Sequence, residues 1–283
     1  MSGIIVNTNL PSMMVQRNLN TATSKLNSAI ERMTTGYKIN RAADDAAGLY
    51  IASGLDTQIR GSEICESNLQ TGINILQIAE GDLTLIQDHV SRIRDLATQA
   101  ASDYYTTDAR NAMASEAQAR YDEINRLASA SNFNGLTLLD GNTALASGLR
   151  LQVGPNAPEA TNAITVTGVF ESAKATDLGI TSTISDVFST ASQAAAFLTE
   201  CDTAINDITN RRSTIGAIQN RLESAYNSLT IQVENLSAAK STIMDADIAK
   251  ESSEYTKQQI LQQAASSLLV QANQAPSIAL NLI

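Results

Sequence analysis

The residue types that most often mark a metal, redox or triad site are scarce in this chain: one histidine, His89, and two cysteines, Cys65 and Cys201. A zinc hydrolase of the HExxH type needs two histidines one helical turn apart. A Ser–His–Asp triad needs an imidazole held between a serine and an acid. One histidine in 283 residues excludes the first and makes the second, like other His-based metal centres, a poor fit. Cys65 and Cys201 lie far apart in sequence and form no CxxC, so neither a redox motif nor a disulfide framework is present. They read as small, half-buried residues on helices. The sequence nominates no catalytic residue, no metal ligand and no cofactor site.

The elements that would position such residues are of one kind. Aromatics make up only 4% of the chain, and there is no Trp. Compact mixed folds lean on large aromatic side chains for buried area, whereas an Ala- and Leu-rich composition suits long helices packed side by side. The net charge of −10 disfavours nucleic acid and anionic membrane, both of which need a basic surface. The opening stretch "MSGIIVNTNLPSMMVQ" lacks the basic n-region and continuous apolar run of a cleavable secretion signal. Export, if it happens, is expected by another route.

Hydrophobic spacing predicts the helices. Steps of three and four from Ile205 give Ile205, Ile208, Arg212, Ile215, Gln219, Leu222, Tyr226, Leu229, Val233, Leu236, Lys240 and Ile243. Nine of these twelve are apolar, and the span contains no Pro, so an a/d heptad rhythm runs unbroken over roughly 60 Å of helix. A matching stripe runs Leu69, Gly72, Leu76, Ala79, Leu83, Ile86, Val90, Ile93, Ala97 and Ala100. A shorter helix is expected over "TDARNAMASEAQARYDEINRLASAS", capped by Thr107 or Asp108 and stopped by "NFNGLT". Another stripe, Val15, Leu19, Ala22, Leu26, Ala29 and Met33, precedes the interruption "TTGYKIN". In mid-chain, "LRLQVGPNAPEATNAITVTGVF" alternates apolar and polar residues and reads as two short strands around a Pro-bearing loop. "ATDLGI" reads as a turn, with helix resuming near Ser185. The predicted fold is mainly α: a long antiparallel helical bundle or coiled coil with paired N- and C-terminal helices and a small mid-chain β-hairpin element.

Both ends lack charge. Arg17 is the first charged residue and Lys257 the last. The final stretch carries the stripe Leu261, Ala265, Leu268 and Ala272, with Leu269 beside it, on a background of Gln, Ser and Asn. It is long enough to span a bilayer. However, eight amide side chains and Pro276 make transfer into hydrocarbon prohibitive, and an interfacial helix would show Lys or Arg on its polar face. A helix of this kind is marginal alone in water. The expected partner is protein, in the first instance the chain's own N-terminal stripe: Val15, Leu19, Leu26 and Met33 against Leu261, Leu268 and Leu269.

Four stretches, "NTNLPSMMVQRNLN", "AIERMTTGYKINRAADDAAGLYIA", "IRGSEICESNLQTGINILQIAEG" and "SRIRDLATQAASD", closely resemble the N-terminal region of bacterial flagellins. "FNGLTLLDG" and "LQVG" look like that family's approach to its β-hairpins. The segment from "IGAIQNRLESAYNSL" to "SLLVQANQAP" is similar to its C-terminal signature. The resemblance covers nearly the whole chain.

It implies a structural subunit that polymerises into the hollow flagellar filament used for motility, with no enzymatic step. The implied partners are other copies of the chain, other flagellins, a flagellar export chaperone, and the filament cap and hook-junction proteins. The implied location is extracellular, reached through the flagellum's own type III export apparatus. A hook–filament junction adaptor shares the paired-terminus plan and is the alternative. By the same resemblance, residues 1–42 and 245–283 form inner-tube helices that are disordered in the monomer. Residues 43–244 form the outer-tube bundle, with a hairpin region at about 136–185. Leu83, Ile86, Val90 and Ile93 would pack there against Leu222, Leu229, Val233 and Leu236. Arg92, Leu96 and Glu116 match positions through which a flagellin-sensing Toll-like receptor of animals makes contact. With the two long helices antiparallel, Cys65 and Cys201 are expected tens of Å apart and unbonded.

Overall fold

The structure is a computed structural model that describes residues 8–141, 145, 147–156 and 162–280. Helix α1 (Leu10–Thr35) opens on Asn9, whose side chain accepts a hydrogen bond from the Ser12 amide, and has Pro11 in its first turn. It stops at Gly36, which takes the left-handed conformation (φ 77°) that a C-terminal cap favours. Helix α2 (Ala46–Ala100) is capped by Asp45, whose Oδ1 accepts from the Gly48 amide at 2.9 Å. Helix α3 (Thr107–Ala130) is capped by the side chain of Thr106, which accepts from the Ala109 amide. The cap therefore falls one residue before Thr107. Asp108 lies inside the first turn, where its charge faces the positive end of the helix dipole.

The stretch "NFNGLT" does more than stop α3. Strands β1 (Asn132–Phe133) and β2 (Leu136–Thr137) pair antiparallel across a two-residue turn. Asn134 (φ 50°) and Gly135 (φ 81°) both sit at positive φ there, the pair that a tight hairpin turn demands. A second hairpin joins β3 (Leu149–Gln152) to β4 (Ala163–Val166), in the register Leu149 to Val166 and Gln152 to Ala163. Of the two prolines expected in its loop, Pro155 is described and Pro158 lies outside the described residues. The chain continues through α4 (Ile184–Val187), α5 (Ala191–Met244) and α6 (Ile248–Leu280). No described helix is long and apolar enough to cross a membrane.

The chain forms two compact units, and both α2 and α5 contribute to each. The central unit comprises residues 60–234. Its core contains nearly the whole expected α2 stripe: Leu69, Leu76, Ala79, Leu83, Ile86, Val90, Ile93, Ala97 and Ala100 are all fully buried. From α5 come Ile208, Ile215, Leu222 and Leu229, one every seven residues, together with Phe197, which meets Phe188 edge-to-face. Burying each such aliphatic contributes about 1.5–3 kcal/mol. The one Gly in the α2 stripe has a local reason, because a Cβ on Gly72 would overlap the Leu151 side chain of β3. The second hairpin thus lies against a notch in the helix. Cys65 and Cys201 are fully buried rather than half-buried, and unbonded. Each sits on the core face of its helix, Cys65 four residues before Leu69 and Cys201 four after Phe197. The terminal unit comprises residues 1–59 and 235–283, and it is the unit in which the two chargeless ends meet.

Candidate assembly surface

Helices α1 and α6 run antiparallel, and the polar contacts along them show it. Asn9 Nδ2 donates to the Ala272 carbonyl at 2.7 Å, and Ser12 Oγ to Asn273 Oδ1 at 2.8 Å. Gln262 Nε2 donates to Thr23 Oγ1 at 3.2 Å, and Arg32 pairs with Glu251 at 3.3 Å. At the base of the pair, the Lys38 amide donates to the Met244 carbonyl and the Ala246 amide to Gly36, clamping the two helix breaks together. Asp44 braces the same link, its Oδ2 accepting from the Asn40 and Arg41 amides at 3.1 and 3.0 Å.

The seam between the two helices is made of small and amide residues: Ala22 and Ala29 from α1, Gln258 and Ala265 from α6. Gln258 is buried without penalty because its Nε2 donates to Glu254 Oε1 at 2.6 Å. That bond, with Lys257 nearby, holds the Glu254 carboxyl below its ordinary range. Val15, Leu19, Leu26, Met33 and Leu269 are half-buried along the margins of this seam. Leu261 and Leu268 point further out, at 47% and 52% exposure. They line one side of a groove of about 370 Å³ whose floor is Ala22 and Ala265. Small residues at the centre let the backbones approach closely, which forces the leucines to the flanks. Met13, Met14, Ile260 and Val270 are likewise exposed, and periodicity along one stripe had no means of flagging them.

In the central unit the polar interruptions of the α5 stripe meet polar partners on α2. Arg212 Nη1 donates to Gln87 Oε1 at 2.6 Å, and Gln219 Nε2 to Glu80 Oε2 at 3.3 Å. Such pairs fix the register of two helices that could otherwise slide by a heptad. In the terminal unit Lys240 pairs with Asp56 in the same way. Of the residues expected to pack here, Leu83, Ile86, Val90, Ile93, Leu222 and Leu229 are buried, whereas Val233 is only half-buried. Leu236, in the terminal unit, is also half-buried.

Arg92 and Glu116, expected to face a receptor, bond to each other across α2 and α3 through Arg92 Nε and Glu116 Oε1 at 2.9 Å. The guanidinium draws the Glu116 carboxyl below its ordinary range. Leu96 does not present a contact surface. It is 2% exposed and belongs to the core, because it shares a face with Ile93 and Ala100. His89 Nδ1 lies 3.3 Å from Arg120 Nη1, with no serine or second histidine bonded to it among the described residues. Burial raises the Cys201 thiol to about 12, which leaves it protonated and inert as a nucleophile. No group of three or more metal-binding side chains exists among the described residues.

The surfaces described above are helix faces of the kind that pack against other helices. The family description "Bacterial flagellin N-terminal helical region" matches residues 6–144, and "Bacterial flagellin C-terminal helical region" matches residues 198–283. The chain is 36% identical to the flagellar filament 33 kDa core protein of Treponema phagedenis, over 99% of this chain and 100% of that protein. It is 38% identical to a flagellin of Halalkalibacterium halodurans, with 99% and 100% covered. A solved structure from Vibrio parahaemolyticus, described as flagellar hook-associated, superposes with a TM-score of 0.57. That match covers 71% of this chain and 100% of the other at 15% identity, a likeness of fold alone.

Proposed function

The chain belongs to the bacterial flagellin family, and from that premise we propose that it is a structural subunit that polymerises into the hollow flagellar filament. The observation that supports this most directly is the terminal pair, whose helices leave Leu10, Met13, Met14, Ile260, Leu261, Leu268 and Val270 exposed on ends that carry no charge beyond Arg17 and Lys257. A soluble monomer gains nothing from such a surface, whereas copies of the same chain can bury it against one another. Full-length similarity to filament proteins favours the subunit over a hook–filament junction adaptor.

In this reading residues 1–42 and 245–283 order fully only on assembly and form the inner tube, with Val15, Leu19, Leu26, Met33, Leu261, Leu268 and Leu269 as the assembly residues. Residues 43–244 form the outer tube. The subunit leaves the cell through the flagellar export apparatus, delivered by an export chaperone that holds its C-terminal segment, and meets the cap and hook-junction proteins at the filament ends. Recognition by the flagellin-sensing Toll-like receptor would rest on the Arg92–Glu116 surface without Leu96. The protein performs no catalysis. Deleting Gln258–Ile283 tests the central claim. Negative-stain microscopy is expected to show no filaments from the truncated protein under conditions where the full chain assembles, and filaments at normal yield would refute it.

A further inference from the structure

Helix α2 carries a second apolar line, on the face opposite the core of the central unit. Ile64, Ile78 and Leu85 are 64%, 38% and 50% exposed, and with Thr71 they recur every seven residues. Ser67, Asn74 and Gly81 form the adjoining line and are exposed as well. Thr71 and Asn74 already bond within the helix, to the Ser67 carbonyl and to Gln70. Between Arg60 and Asp88 neither line carries a charge; Glu66 and Glu80 lie on another face, whereas Glu63 and Asp82 flank the lines, and Asp82 is turned toward α3 by a hydrogen bond from the Ser131 hydroxyl. Gly81 is the unusual member. Glycine weakens a helix interior relative to alanine, and nothing within 4 Å of a Cβ at this position explains its presence. A helical glycine flanked at i−3 and i+4 by exposed aliphatics suits close approach by another backbone, and no such neighbour exists within the described chain.

We propose that this stripe, Ile64 to Leu85, is a docking ridge for a helix of a second copy of this chain, with Gly81 as its point of closest approach. The inference rests on the filament reading above. Charge selects the occupant: the chain carries a net −10, so identical copies repel overall, and a face without charge lets two of them approach closely without like-charge contacts. A basic partner would instead be met by acidic side chains. Size points the same way. The ridge is about 30 Å long and about 10 Å wide, roughly 300 Å² against the ~800 Å² per partner of an ordinary stable interface. It cannot hold a dimer by itself and acts only alongside the terminal contacts of a polymer.

The test is extension of wild-type filament seeds by full-length monomer, read as the concentration left soluble at the plateau, with a thermal melt of each monomer. Ile78→Glu and Leu85→Glu are expected to melt as wild type, since both positions are exposed, and to raise the soluble concentration about tenfold or more. Gly81→Leu is expected to raise the monomer melting temperature by about 2–4 °C and still impair extension. A merely structural glycine would not produce that combination. If wild-type monomer itself fails to extend the seeds, the filament reading falls and this inference with it. If wild type extends and all three variants extend equally well, the ridge proposal alone is overturned.

Discussion

At the scale of single residues, the link between α1 and α2 depends on a carboxylate that is exposed yet specifically bonded. Asp44 accepts from two backbone amides, and those bonds, led by Arg41 and then Asn40, lower its pKa. A carboxyl whose folded pKa is depressed contributes its stabilisation fully above the ordinary Asp value, about 3.9. It loses that stabilisation as pH falls through the depressed value. Protection of the Asn40 and Arg41 amides against hydrogen exchange is therefore expected to be constant at neutral pH and to weaken in acid, once corrected for intrinsic rates. In Asp44→Asn that acid-dependent loss should disappear. An unchanged acid response in the variant would assign the effect to another group. The thiols behave in the opposite sense. Burial holds Cys201 protonated, so a residue type that often signals reactivity acts here as a small apolar side chain.

At the scale of elements, the heptad stripe of α5 grades from buried to half-buried within the central unit, and mutational cost should follow burial rather than residue type alone. Leu222 is fully buried, whereas Val233 is half-buried. Leu222→Ala is expected to cost about 2–5 kcal/mol, and Val233→Ala about 1 kcal/mol or less, measured as shifts in urea unfolding. Equal costs would mean that the stripe is packed uniformly. The polar interruptions at Arg212 and Gln219 have a different role. Each meets a polar partner on α2, and together they disfavour sliding by a heptad, which aliphatic residues alone would permit.

At the scale of the whole molecule, the two units differ in what fills their seams. Leucine, isoleucine and phenylalanine fill the central core; the α1–α6 seam is alanine and glutamine, with its leucines at the margins. Less apolar area buried per residue means a lower free energy of local opening. Hydrogen exchange on dilute monomer is expected to be fast before about residue 40 and after about residue 245, and slow across the α2 and α5 segments of the central unit. Strong protection at the ends of the isolated chain would contradict ordering on assembly.

The helical class, the second mid-chain hairpin and the antiparallel pairing of the ends could be read from the sequence, whereas the start of α2 at Ala46, well before the stripe that opens at Leu69, and the β1–β2 hairpin within "NFNGLT" could not. Hydrophobic period and turn chemistry are local properties that a chain displays before it folds. A zinc hydrolase of the HExxH type was excluded in the same way, because a single histidine cannot supply two metal ligands one helical turn apart. Depth was not legible: Leu261 and Leu268 read as the heart of the terminal pair, and Leu96 as a surface contact. Which member of a stripe is innermost depends on how closely two backbones approach, and the size of residues on both helices sets that distance. Alanine at Ala22 and Ala265 brings the backbones together and turns the leucines outward. The ridge on α2, with Gly81 at its centre, became visible only once the core had claimed the opposite face, because exposure is a property of the packed molecule and not of the residue.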